Sequence, residues 1–114
     1  MSPQHPPHLV GELPPPRWLV LGDMGEVGTQ GPDFHVEAGN LARDGGIEEA
    51  WFAGKLSIHA AQAYGPSARH FAGTEELIAA LSEAPVAESV LVKGSRFMAM
   101  ERVVAALEGG AHAA

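Results

Sequence analysis

Two short stretches hold most of the polar chemistry of this sequence. In the first, Lys93-Gly94-Ser95-Arg96, two cations and a hydroxyl follow the apolar run Val90–Val92 and precede a helical pattern. Such a loop can cradle a carboxylate or a phosphate, because charged donors and unpaired helix N–H groups converge there. A plainer reading makes Ser95 an N-cap and leaves Lys93 and Arg96 solvated. The second stretch is "LVLGDMGEVG", Leu19 to Gly28, where an apolar run stops at Gly22 and Asp23 and Glu26 follow. Carboxylates there could hold a ribose hydroxyl or a substrate ammonium. Equally, Asp23 could bond nearby backbone N–H groups in a turn.

The remaining polar candidates are weaker. His35 follows Phe34 at the edge of an apolar helix face, pointing either into the same rim or into solvent. Lys55 sits just after Gly54, where it could line that rim. His59 and His70 lack an orienting partner in the local sequence. His5 and His8 lack the acidic or thiol neighbours of a metal site. Met98 and Met100 read as packing residues. Gly22, Gly25 and Gly28 are not spaced as a G-x-G-x-x-G dinucleotide fingerprint, and no G-x-x-x-x-G-K-[ST] phosphate loop occurs.

The bulk composition narrows the function classes. The 114 residues suit one domain. A net charge of -7 with seven Lys plus Arg argues against nucleic acid or an anionic membrane as the main partner. There is no cysteine, hence no disulfide or thiolate chemistry. No apolar run approaches the roughly 20 residues of a membrane span. No secretory signal pattern opens the chain, so a cytoplasmic protein is expected.

The elements that must position these residues are legible as a rhythm. Four apolar runs, "WLVLG", "AWFAG", "RHFAG" and "VLVKG", end at Gly22, Gly54, Gly73 and Gly94, each followed by helical spacing. That alternation predicts β-loop-α units and a mainly parallel sheet. Phe34, Ala38, Leu41 and Ala42 predict the apolar face of a helix over about 32–44, stopped by Gly45-Gly46. Ser57 is expected to cap a second helix carrying Ile58, Ala61 and Ala63, and Thr74 a third carrying Leu77, Ile78 and Leu81. Phe97, Met100, Val104 and Leu107 predict the face of the last helix. Residues 1–16 hold six of the nine prolines and are expected to form an extended or disordered leader, with the domain at 17–108 and a frayed tail at 109–114. In such a sheet ligands bind beyond the carboxyl ends of the strands. The two polar stretches share one rim only if their strands are near neighbours.

The pair "LGDMGEVG" and "VLVKGSRFMAMERVVAAL", with His35 on the intervening helix, closely resembles the C-terminal domain of the MurF family of cytoplasmic peptidoglycan ligases. The resemblance covers about Arg17 to Leu107. It implies a three-layer Rossmann-like α/β domain belonging to a three-domain enzyme. With ATP and magnesium, such an enzyme adds D-Ala-D-Ala to UDP-N-acetylmuramoyl tripeptide through an acyl phosphate. Lys93, Gly94, Ser95 and Arg96 would then bind the dipeptide carboxylate, and Asp23, Glu26 and His35 would face the nucleotide or the closing domain interface. The departure is that this chain carries no phosphate loop, and its proline-rich leader stands where an asparagine-rich segment is expected. ATP and magnesium are therefore expected for the full-length family enzyme and not for this chain alone, which is expected to have no ligase activity. The competing expectation is a stand-alone binding or interaction module that docks on other cell-wall enzymes. Either form would expose its rim, which favours self-association.

Overall fold

The computed structural model describes residues 14–24, 31–95 and 98–113. In chain order the elements are β1 (Arg17–Gly22), α1 (Gly31–Asp44), β2 (Glu49–Ala53), α2 (Ser57–Tyr64), β3 (Arg69–Phe71), α3 (Thr74–Ala79) continued by a 3-10 turn (Ala80–Glu83), β4 (Ser89–Lys93) and α4 (Glu101–Ala113). The four glycine-terminated runs are the four strands. All pairings are parallel, and the spatial order is β3-β2-β1-β4. This is the parallel α/β sheet that the strand–helix rhythm predicts, in the three-layer arrangement that the family resemblance implies.

Strand alternation splits the core into two layers. Leu19, Leu21, Ala50 and Phe52 face α1 and α2, where Ala42, Ala60, Ala61 and Tyr64 cover them. Trp18, Val20, Trp51 and Ala53 face the opposite way, against Leu77 of α3, Val103 of α4 and the turn residues Met98 and Met100. Trp18 and Trp51 meet edge to face with ring centroids 5.0 Å apart, a geometry the aromatic quadrupole favours. Met98 and Met100 thus pack, as their sequence context suggests.

Three helix expectations change. The inward residues of α1 are Gly31, His35, Gly39 and Ala42, whereas Phe34 and Leu41 are 44 % and 43 % exposed. The reason is α2: a Cβ on Gly39 would lie 2.2 Å from the Ala60 carbonyl oxygen, so α1 turns its bare backbone, not its bulky residues, towards its neighbour. Neither Ser57 nor Thr74 caps its own helix. Thr74 Oγ1 donates instead to the Met98 carbonyl at 2.6 Å, tying α3 to the turn before α4. The last helix spans Glu101–Ala113, and it buries Val103 rather than Val104.

Tyr64 closes α2 onto the loop before β2 by donating its hydroxyl to the Ile47 carbonyl. Burial, helped by the Glu49 and Glu48 carboxylates, raises the pKa of the phenol above its ordinary 10.0. The neutral form is therefore favoured by folding: its contribution is complete below pH 10.0 and fades as pH rises through the raised value. Tyr64→Phe leaves the Ile47 carbonyl without this donor and is expected to cost about 1 kcal/mol in urea denaturation. The same variant should also lose the steepening of base unfolding.

Candidate functional site

The order β3-β2-β1-β4 makes the chain step one way from β1 to β3 and then cross back to β4, so β1 and β4 flank a topological switch point. Ligand crevices in open α/β sheets form at the carboxyl ends of such strands. Leu21 of β1 pairs with Lys93 of β4, which brings Gly22-Asp23 beside Gly94-Ser95. The Ser95 N–H donates to the Asp23 carbonyl at 2.9 Å, closing the two exits together. A Cβ on Gly94 would sit 2.6 Å from Met100 Cγ and one on Gly22 2.8 Å from Met100 Sδ, so both glycines are set by the close packing of Met100 against the two strand exits.

The rim residues differ in their availability. Lys93 and Gly94 are exposed, and Ser95 is partly buried. Lys93 leaves β4 on the face of α1, with Leu91. Ser95 Oγ is shielded from solvent and has no hydrogen-bond partner among the described residues. It is not an N-cap of α4, because that helix begins six residues later, after a turn in which Met98 N–H donates to the Ser95 carbonyl at 3.0 Å. A cradle at this point thus consists of Lys93, the Ser95 hydroxyl and strand-end backbone, not of the first N–H groups of α4. Arg96 and Glu26 lie outside the described residues, as do His5 and His8.

Asp23 and His35 are both engaged by hydrogen bonds within the fold. Asp23 is 7 % exposed, and its carboxylate caps α2: Oδ1 accepts from Ser57 N–H at 2.8 Å and Oδ2 from Leu56 N–H at 3.1 Å. A carboxylate at a helix N-terminus is favoured by both the unpaired donors and the helix dipole. His35 is fully buried. Its Nδ1–H donates to the Gly31 carbonyl at 2.7 Å, and its Nε2 accepts from Met24 N–H at 3.0 Å. One imidazole thereby fixes both ends of the segment 25–30, which carries Glu26. His35→Leu is expected to cost about 1–3 kcal/mol, since a buried donor and acceptor lose their partner. It should also speed amide exchange at Met24 while leaving the central strands protected.

Sequence reasoning missed several of these contributors. Leu56 supplies half of the Asp23 contact, and Gly54, at φ 118°, leaves room for it. His70 Nε2–H donates to the Gly54 carbonyl at 2.7 Å, so this histidine braces the exit of β2. Lys55 is exposed at the same exit. Among the described residues no group of three His, Asp or Glu could hold a metal. No described helix is long and apolar enough to cross a membrane.

No protein-family model matches the chain. Among curated proteins, the UDP-N-acetylmuramoyl-tripeptide--D-alanyl-D-alanine ligase of Escherichia coli is 40 % identical over 104 residues, a match spanning 88 % of this chain and 23 % of the ligase. The ligase of the same name from Buchnera aphidicola is 31 % identical over 95 residues, spanning 81 % of this chain and 21 % of that protein. Among solved structures, MurF from Acinetobacter baumannii superposes with a TM-score of 0.71 at 22 % identity, over 87 % of this chain and 23 % of that one. MurF ligase from Thermotoga maritima, in complex with ADP, gives 0.70 at 18 % identity, over 90 % and 24 %. This chain therefore spans under a quarter of the length of these relatives. In sequence and in fold it resembles one domain of a MurF ligase.

Proposed function

We propose that the chain is the C-terminal, substrate-presenting domain of a cytoplasmic ligase that adds D-Ala-D-Ala to UDP-N-acetylmuramoyl tripeptide, in peptidoglycan synthesis and hence cell-wall biogenesis. The observation that carries this reading is the junction of β1 and β4. There the two motifs shared with the family meet at a switch point through the Ser95–Asp23 bond. In this reading Lys93, Gly94, Ser95 and Arg96 orient the dipeptide: the ammonium of Lys93 and the guanidinium of Arg96 attract its carboxylate, and the Ser95 hydroxyl donates to it. Asp23 and His35 act as positioning residues, and Glu26 is assigned to the nucleotide or the closing interface. ATP and magnesium belong to the rest of the enzyme, because the γ-phosphate needs a phosphate loop that this sequence lacks. The chain alone is thus inactive. One rim offers only part of the contacts, so dipeptide affinity is on the order of millimolar or weaker.

Titration of the labelled chain with D-Ala-D-Ala, followed by amide chemical shifts, tests the reading. Shifts should concentrate at residues 22–28 and 93–97 and vanish in Lys93→Ala. Shifts scattered over the surface, or none at tens of millimolar dipeptide, would sink the binding assignment. ATP turnover by the chain alone, given UDP-tripeptide, D-Ala-D-Ala and magnesium, would sink the claim of inactivity. A binding or interaction module without catalytic partners is the second reading. It gains if the chain fails to restore turnover to a MurF ligase from which the corresponding domain has been removed.

A further inference from the structure

The main chain of Ser95 is held from both sides. Its N–H donates to the Asp23 carbonyl at 2.9 Å, and its carbonyl accepts from Met98 N–H at 3.0 Å. Met98 in turn offers its own carbonyl to Thr74 Oγ1 at 2.6 Å. One hydrogen-bonded path therefore runs from α3 through Met98 and Ser95 to the exit of β1. Thr74 is 8 % exposed and 24 residues from Met98, so its hydroxyl serves this distant contact and not solvent.

The turn that Thr74 grips is a demanding one. Ala99 has φ 52°, in the left-handed region, and among the described residues it alone enters that region without being glycine. A Cβ disfavours this conformation. Such a residue persists where its surroundings over-determine it, and residues of this kind gather at binding sites. Here the surroundings are on both sides: Met98 and Met100 are buried. Thr74 Oγ1 lies 3.6 Å from Met100 Sδ, and Met100 is the side chain packed against Gly22 and Gly94. The residue bonded to Ser95 and the residue packed on both strand exits thus belong to one three-residue turn, tied down by one hydroxyl. That turn adjoins Ser95, whose own Oγ is shielded and has no partner among the described residues.

We propose that Thr74 is a positioning residue for the rim. It locks the Met98–Met100 turn and so presets the Ser95 hydroxyl and the Gly94–Ser95 backbone for an anionic ligand before one arrives. A donor fixed in advance loses less entropy on binding. That the anion is the dipeptide carboxylate rests on the ligase reading; that Thr74 fixes Ser95 does not.

Thr74→Val keeps the branched shape without the donor, and Thr74→Ser keeps the donor. In the free labelled chain, Thr74→Val should speed amide exchange at Ser95 and Met98 roughly tenfold and leave Val20 and Phe52 unchanged. Thr74→Ser should restore the slow rates. In the D-Ala-D-Ala titration, Thr74→Val should raise the dissociation constant about fivefold, and Thr74→Ser should recover the unsubstituted value. Unchanged exchange at Ser95 would overturn the proposal, because the hydroxyl would then be idle. An equal rise at Val20 and Phe52 would also overturn it, because the hydroxyl would then only stabilise the fold. So would a loosened Ser95 with undiminished dipeptide affinity. If the unsubstituted chain binds no dipeptide, the ligase reading fails by itself, and the exchange rates still decide the role of Thr74. One further measurement needs no variant to fold: three-bond couplings in the unsubstituted chain should report a single Thr74 χ1 rotamer, and rotamer averaging would overturn the proposal.

Discussion

Replacing Gly54 by alanine is expected to destabilise the fold by roughly 3 kcal/mol or more, the sum of a strained backbone and two lost hydrogen bonds, one buried and one part-buried. Gly54 has φ 118°, a region that side-chain-bearing residues rarely enter. Its missing Cβ matters as much as its dihedral. An added carbon would lie 2.3 Å from Asp23 Oδ1 and 2.4 Å from Asp23 Cγ. The carboxylate would have to leave the first turn of α2, stranding the N–H groups of Leu56 and Ser57. Chemical denaturation gives the magnitude, and amide exchange at Leu56 and Ser57 gives the cause. A double-mutant cycle separates the two costs. Asp23→Ala alone should be clearly destabilising, but much less so when Gly54→Ala is already present, because the clash and the cap involve the same carboxylate. Additive effects would show that Asp23 and Gly54 do not share a site.

The second large effect is expected at Gly39, and there the sign decides. Glycine to alanine inside an exposed helix ordinarily stabilises by about 1 kcal/mol. Gly39→Ala should instead cost about 2 kcal/mol, since overpacking a well-packed contact outweighs helix propensity. The alanine Cβ would lie 2.2 Å from the backbone oxygen of Ala60, itself fully buried, and 3.0 Å from Ala63 Cβ. No flexible side chain can step aside, so α1 must move away from α2. His35 lies one turn earlier on the same inward face, and its bond to Met24 would lengthen with that movement. Gly39→Ala should therefore speed amide exchange at Met24 as well as lower the urea midpoint. A stabilised variant with Met24 unaffected would refute the close approach.

These two positions also show what was legible in the sequence. The four strands could be read because each one ends at a glycine after an apolar run, a signal contained in five residues. The meeting of Lys93–Ser95 with Gly22–Asp23 could not, because strand order is a property of the whole chain, and the sequence allowed the rim only conditionally. Asp23 looked like a local turn or a ligand group. Its partners lie 33 and 34 residues away, beyond any local pattern. Periodicity points to the wrong face of α1 because it weighs bulk: Phe34 and Leu41 outweigh Gly39. A glycine in mid-helix is itself a sign of close backbone approach, and it would have pointed to the correct face. The same weighting puts His35 at the edge of the face rather than at its centre. Glu26 and Arg96 lie outside the described residues, and their roles rest on the local sequence pattern and the family resemblance.

The bonding of Asp23 has a mechanical consequence. Its carbonyl holds the exit of β4 through Ser95, and its carboxylate holds the exit of β2 through Leu56 and Ser57. Those two strands are not neighbours; β1 runs between them. One residue thus couples three strand ends, so they tilt as a single plate instead of three separate fingers. A ligand that pulls on the loop after β4 also loads the first turn of α2, which it never touches.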